Sequence, residues 1–348
     1  MADRLRANVR AMPGYTPGEQ PRDGTFIKLN TNENPYPPSP RVLEAVRAAA
    51  TGERLRKYPD PVGTAFRQTA GLVLGVDPDA VLIGNGSDDV LTVLTRAFVP
   101  EGGVVASPSP SYLLYRTLAE IQGARFQTVP YTAEWQVPEP WPVPEADLTF
   151  IANPNSPSGT AVDVGCLERL AAQLTGTLIL DEAYVDFAEA HGLHLVGAGR
   201  NVIVTRSLSK SYALAGIRFG FAVADPALVR ELVKVKDSYN CDVLSLAAAA
   251  AALEDQEYLR ATRARILATR RRLHDELGRL GFAVCPSQAN FLWCRRADRP
   301  VKPIYEELRR RMILVRYMKY EDYGDGLRIS VGSDVEVDRL LEELKQIV

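Results

Sequence analysis

From Ala80 to Ala224 the sequence alternates short apolar, β-branched runs with stretches whose apolar residues recur at helical spacing. That alternation constrains the fold more than any other feature of the chain. The runs predict strands at Val81–Ile83, Val104–Ala106, Arg125–Val129, Leu148–Ala152, Thr177–Leu180, Asn201–Thr205 and Arg218–Ala224. Helical spacing lies between them at Val90–Val99, ahead of Gly123 and at Leu167–Leu174. Such a sequence predicts an α/β chain with a mainly parallel central sheet and helices on both faces. Ligands of these sheets bind beyond the carboxyl ends of the strands, so polar residues just past each run are the candidates for function.

Gly86, Ser87 and Asp88 follow the first run and open a helix, where free backbone N–H groups suit a phosphate. An ordinary helix cap by Ser87 or Asp88 suits the same residues. Tyr112 follows the second run and has a flat face to stack on a ring. Asn153-Pro-Asn-Ser-Pro-Ser-Gly159 puts Asn155 and Ser156 in a turn after the Leu148 run. Asp181 ends a strand apolar enough to be buried, where an ionised carboxylate needs a cationic partner, and Tyr184 is three residues on. Lys210 sits among Ser207, Ser209 and Ser211, eight residues before Arg218. Gathered at one sheet edge, these are phosphate ligands, an aromatic plate, a carboxylate, a phenol, an amine and a guanidinium. The set suits pyridoxal 5′-phosphate: the amine bonds its aldehyde, and the carboxylate keeps its ring nitrogen protonated so that the ring accepts carbanion electrons.

The rest of the chain frames this region. Residues 1–38 are rich in Pro, Gly and Asn and predict an arm that packs over a site or crosses to a second subunit. Residues 39–253 form the expected large domain and 254–348 a smaller α+β one, a division that 348 residues can support. Between them an arginine-dense helix is expected from Asp255 to Leu280, its charged face solvated. A net charge of −2 argues against nucleic acid or an anionic membrane as partner. No apolar run approaches the ~20 residues of a membrane span, and the charged start lacks a signal-peptide core, so a cytoplasmic location is expected. The 4 cysteines contain no C-x-x-C pair, and His191 and His194 lack a third ligand, so no metal site is expected. Gly84-Asn-Gly-Ser-Asp-Asp departs from the G-x-G-x-x-G of a nicotinamide-dependent oxidoreductase.

Read as motifs, the chain offers L-N-T-N-E-N-P-Y from Leu29, Y-P-D at Tyr58, N-G-S-D at Asn85, P-S-Y ending at Tyr112 and N-P-N-S-P-S-G. D-E-A-Y at Asp181, S-L-S-K ending at Lys210, A-G-I-R-F-G around Arg218, A-N-F-L at Ala289 and L-R-I-S-V-G around Arg328 follow. In these it resembles the fold-type I pyridoxal-phosphate aminotransferases, over nearly its whole length, and within them the branch that acts on histidinol phosphate. The resemblance implies that Lys210 holds the cofactor, Asp181 pairs its ring nitrogen, Tyr184 hydrogen-bonds its ring hydroxyl and Tyr112 stacks on it. Gly86, Ser87, Ser207, Ser209 and Arg218 would surround the phosphate, with Asp88 also among the cofactor-binding residues. Tyr58 would reach the phosphate of a neighbouring subunit, which makes a homodimer. The family has Asn where this chain has Ser156, so either Ser156 or Asn155 makes the ring-oxygen contact. Tyr15, Asn32, Arg316 and Arg328 would bind substrate, with L-histidinol phosphate as amino donor and 2-oxoglutarate as the 2-oxo acid. Arginine forks match phosphate and carboxylate alike, and an aromatic amino acid aminotransferase or a threonine-phosphate decarboxylase shares the pattern.

Overall fold

Apart from the edge strand Arg125–Pro130, the predicted strands are buried on both faces, which is why they read as continuous apolar runs. The computed structural model describes residues 4–13, 18–21, 26–321 and 323–348. Its strands are β1 (Ile27–Lys28), β2 (Val81–Gly84), β3 (Val104–Ser109), β4 (Arg125–Pro130), β5 (Leu148–Ala152), β6 (Thr177–Asp181), β7 (Val202–Ser207) and β8 (Gly220–Val223). They continue with β9 (Ala283–Val284), β10 (Phe291–Arg295), β11 (Ile313–Leu314), β12 (Arg316–Tyr320) and β13 (Gly324–Ser330). Seven of these make the central sheet, in the order β2-β8-β7-β6-β5-β3-β4. Side chains at Ile83, Ile151, Leu180 and Val204 enter one core, and those at Leu82, Phe150, Ile179 and Ile203 enter the other. Alternate residues of each strand therefore serve opposite layers.

Only β8 runs against its neighbours in this sheet. Its start therefore lies at the edge where the other strands end. Ser207 at the end of β7 and Gly84 at the end of β2 both face Gly220 at the start of β8. Gly84, Ser207, Asp181 and the segment leading into Gly220 are thus brought to one edge by register alone. The strand expected from Arg218 begins two residues later, because Arg218 has φ 58°. A left-handed backbone cannot continue a strand, and it turns the arginine toward the sheet edge.

The C-terminal region forms a second layer, an antiparallel sheet of order β12-β13-β10-β9. Here Ile313–Leu314 and Arg316–Tyr320 are separate strands: β11 pairs with β1, and β12 pairs with β13. The arm thus contributes a two-residue edge strand at Ile27–Lys28, and Leu29 is buried in the core of the C-terminal layer. The long helix runs Gln256–Arg279, and its arginines are not simply solvated. Arg263 donates to the carbonyls of Asp186 and Ala188, Arg270 to those of Phe187 and Ala289, and Arg265 lies 3.9 Å over the Tyr36 ring. The loop after β6 ends in carbonyls without helix or sheet partners, and these guanidinium forks satisfy them.

Candidate active site

Lys210 follows β7 in a short loop, and its surroundings set it apart from a solvated loop charge. Its Nζ donates to the Thr31 carbonyl at 3.2 Å and stands 5.7 Å above the Tyr184 ring. The backbone of the loop is held by Asn34, whose Nδ2 donates to the carbonyls of Lys210 and Ser211 at 3.0 Å each. A cavity opens at this point, lined by Lys210, Asp181, Tyr184, Ser87, Asp88, Tyr112, Ser156, Ser207, Ser209, Arg218, Arg316 and Arg328 among others. One concave site thus collects residues from the ends of β2, β3, β5, β6 and β7, the start of β8, and the strands β12 and β13 of the second sheet.

Asp181 and Glu182 are adjacent acids with different partners. Glu182 is paired with Arg206, whose Nη2 lies 2.9 Å from Oε2, so its charge is neutralised inside the protein. Asp181 accepts from neutral donors: Tyr115 Oη at 2.7 Å on Oδ2, and the Ala183 amide at 3.2 Å and Thr205 Oγ1 at 3.4 Å on Oδ1. Burial pushes its pKa up to about 6 in spite of those donors. A cationic group of a ligand in the cavity would stabilise the ionised form of Asp181.

The opposite end of the cavity is shaped for an anion. The helix Ser87–Phe98 begins at Gly86, and no side chain caps its first turn, so the capping role open to Ser87 and Asp88 is not the one taken. The first two residues of this 12-residue helix, Ser87 and Asp88, line the cavity, and an uncapped helix start suits an anion. Gly86 has φ 86°, and a Cβ there would lie 2.7 Å from Arg218 Nη2. Arg218 Nη1 donates to Ser209 Oγ at 3.4 Å, and Nη2 is 3.7 Å from Asp88. Asp88 also accepts from Tyr112 Oη at 3.2 Å, which fixes the tilt of that ring.

Arg316 and Arg328 are directly opposite each other across β12 and β13. Like charges in such a pair repel unless an anion lies between them. Arg328 also donates through Nη1 to Ser156 Oγ at 2.9 Å and through Nη2 to the Asn30 carbonyl at 3.2 Å.

Several expected contacts are placed differently. Asn155 is fully buried in its turn: Oδ1 accepts from Ser111, and Nδ2 donates to the Pro110 carbonyl and Ser158 Oγ. It has no amide group left for a ring, whereas Ser156 lines the cavity. Asn32 lines the cavity, and its amide is hydrogen-bonded at both ends, to Tyr184 and to Ser330. Tyr58 is 81% exposed and stacks at 4.4 Å on Tyr239, outside its own chain's cavity. Tyr15 lies outside the described residues. Tyr115 and Asn34 were not anticipated. The only sequence signal for Tyr115 is its position one helical turn after Tyr112.

The geometry has a counterpart among known proteins. The family model for aminotransferase class I and II matches residues 24–344. The chain belongs to that family. It is similar to a histidinol-phosphate aminotransferase of Rhodopirellula baltica, 52% identical over 96% of this chain and 92% of the relative. Another enzyme of that name, from Geotalea daltonii, is 46% identical over 99% of both chains. The crystal structure of histidinol-phosphate aminotransferase from Sinorhizobium meliloti, in complex with pyridoxal 5′-phosphate, superposes with a TM-score of 0.87 at 26% identity, covering 99% of this chain and 98% of that one.

Proposed function

We infer that this aminotransferase moves an amino group between L-histidinol phosphate and 2-oxoglutarate with pyridoxal 5′-phosphate as its cofactor. The observation that carries the reading is the pairing, in one cavity, of Lys210 with a buried Asp181 whose hydrogen-bond donors are all neutral. Relatives that carry the histidinol-phosphate name at 46–52% identity over almost the whole chain support the substrate.

The residues present fit the cofactor. The uncapped helix end, Gly86, Ser87, Ser207, Ser209 and Arg218 would hold its phosphate, with Asp88 fixing Arg218 from behind. Asp181 would pair with the ring nitrogen, Tyr112 would lie on the ring face, and Tyr184 and Ser156 would reach the ring oxygen. When bound, the cofactor supplies an aldehyde that bonds amines and a protonated ring that takes up the electron pair left at Cα. Lys210 Nζ would bond that aldehyde in the resting enzyme, and the same amine is the base that would take the proton from substrate Cα. Asp181 would keep the ring nitrogen protonated. Arg316 and Arg328 receive the phosphate of the donor and the distal carboxylate of the acceptor, since both anions offer oxygens to a guanidinium fork. The arm carries Thr31 and Asn32 over the cavity and limits water access.

The reading extends to the assembly. Tyr58, exposed in the single chain, serves the phosphate site of a second copy, and the enzyme works as a homodimer in the cytoplasm. Residues 39–253 form the cofactor-binding domain and 254–348 the smaller one, with the arm docked on it.

Incubation of the purified protein with pyridoxal 5′-phosphate, histidinol phosphate and 2-oxoglutarate is expected to yield glutamate. Lys210→Ala is expected to abolish both that product and the visible absorbance of the lysine-bound cofactor. Full turnover by Lys210→Ala would overturn the assignment of the base.

A further inference from the structure

We propose that Asn32, carried by the N-terminal arm, is a positioning residue that aims the phenolic proton of Tyr184 into the cavity, and that Ser330 of β13 locks it in that orientation. The proposal rests on the cofactor reading above. Its basis is a hydrogen-bond circuit that joins three parts of the chain.

Ser330 Oγ accepts from the Asn32 backbone N–H at 2.8 Å and lies 3.1 Å from Asn32 Oδ1. Because that hydroxyl already accepts from the amide, its own proton goes to Oδ1, and the oxygen end of the Asn32 amide is thereby fixed toward Ser330. The NH2 end is then directed at Tyr184, and Asn32 Nδ2 lies 3.0 Å from Tyr184 Oη. A phenol that accepts from an amide must send its single proton elsewhere. Tyr184 lines the cavity with its ring edge against Phe291, so that direction is the cavity itself.

The backbone supports the same circuit. Asn32 has φ 57°, a conformation that Asn adopts more readily than most residues, and its carbonyl accepts from Asn290 Nδ2 at 3.0 Å. Asn290 immediately precedes β10 and Ser330 ends β13. The arm is thus seated on the C-terminal sheet by two side chains while it touches Tyr184, in the loop after β6, by a third. The orientation of one catalytic-site proton depends on how the arm sits.

The test uses the visible spectrum of the resting, cofactor-loaded enzyme, titrated with pH in the absence of substrate. A donor on the ring oxygen draws charge from it and eases proton loss from the lysine-linked nitrogen beside it. Asn32→Asp keeps a residue that tolerates positive φ but turns a donor into an acceptor, which pulls the Tyr184 proton away. Its spectral midpoint is expected to rise by about one pH unit, the size of one lost hydrogen bond, and to match that of Tyr184→Phe. In Tyr184→Phe/Asn32→Asp the second change is expected to add little. Ser330→Ala, which leaves both partners in place but removes the lock on the side-chain amide and the acceptor of the Asn32 backbone N–H, is expected to give a smaller rise and carries the test should Asn32→Asp fail to fold. A wild-type midpoint in Asn32→Asp or in Ser330→Ala, or an equal rise from Asn32→Asp with and without Tyr184, would overturn the proposal. A wild-type protein with no titrating visible band would instead contradict the cofactor reading.

Discussion

Asp181 is a carboxyl placed where its charge is costly unless a ligand answers it, and this has consequences for the cofactor-free protein. Its pKa in the fold, raised from 3.8 to about 6, lies above the unfolded value, so the native state binds the proton more tightly. The associated stability is full below about pH 4 and is lost as pH rises through 6, amounting to roughly 3 kcal/mol. Asp181→Asn keeps an acceptor for Tyr115 and removes that dependence. Cofactor-free Asp181→Asn is therefore expected to gain stability over the wild type between about pH 4 and pH 6.5 and to hold a constant advantage above it, in denaturant titrations. Tyr115→Phe removes the strongest donor to Asp181, so the same titration should place the wild-type inflection at higher pH and show a loss of about 1–3 kcal/mol where Asp181 is ionised. An unchanged inflection would mean that Tyr115 only packs. Asp181 was legible from sequence because it ends a strand run, and Lys210 because it sits in a loop of small hydroxyl residues just past one. Tyr115 was not, because its partner is 66 residues away and the pairing exists only after the strands align. Asn155 and Ser156 show the same limit, since which neighbour faces the cavity is decided by contacts with Pro110 and Ser111.

At the scale of elements, the anion-binding end depends on two glycines. A Cβ on Gly220 would come within 2.4 Å of the Ser87 amide, and one on Gly86 would meet Arg218 at a backbone φ of 86°. Strand β8 and the helix Ser87–Phe98 therefore approach more closely than side chains allow, and this brings the helix amides to the sheet edge. Gly86→Ala is expected to weaken pyridoxal-phosphate affinity by at least about tenfold, equal to ~1.4 kcal/mol, by displacing Arg218 and straining the turn. Fluorescence titration of the cofactor-free protein checks this, and wild-type affinity would show that the turn relaxes without touching the phosphate site. The existence of each strand of the central sheet was readable from its run, whereas its limits were not, and the two-residue strands β1 and β9 were not readable at all. Arg218 belongs to a β-branched stretch yet sits outside β8, because a positive φ leaves no trace in composition. The long helix misled for a related reason: arginine density signals a solvated face until loop carbonyls at Asp186 and Phe187 are seen to need donors.

At the scale of the whole molecule, the arm, the central sheet and the C-terminal sheet meet at one cavity, while Tyr58 points out of it. If Tyr58 completes the site of a second copy, Tyr58→Ala and Lys210→Ala proteins, each impaired alone, should recover activity when their chains are exchanged. A mixed dimer then contains one site with both residues intact. Absence of recovery, with mixed dimers verified by mass, would place Tyr58 outside catalysis. The substrate depends on the facing pair Arg316 and Arg328, whose anion preference the sequence left open between phosphate and carboxylate. The most direct measurement is the spectrum of the pyridoxal-phosphate-loaded protein after rapid mixing with histidinol phosphate, phenylalanine or threonine phosphate. Histidinol phosphate is expected to discharge the lysine-bound absorbance fastest, and 2-oxoglutarate to restore it. Rapid discharge by phenylalanine, with none by histidinol phosphate, would overturn the substrate assignment.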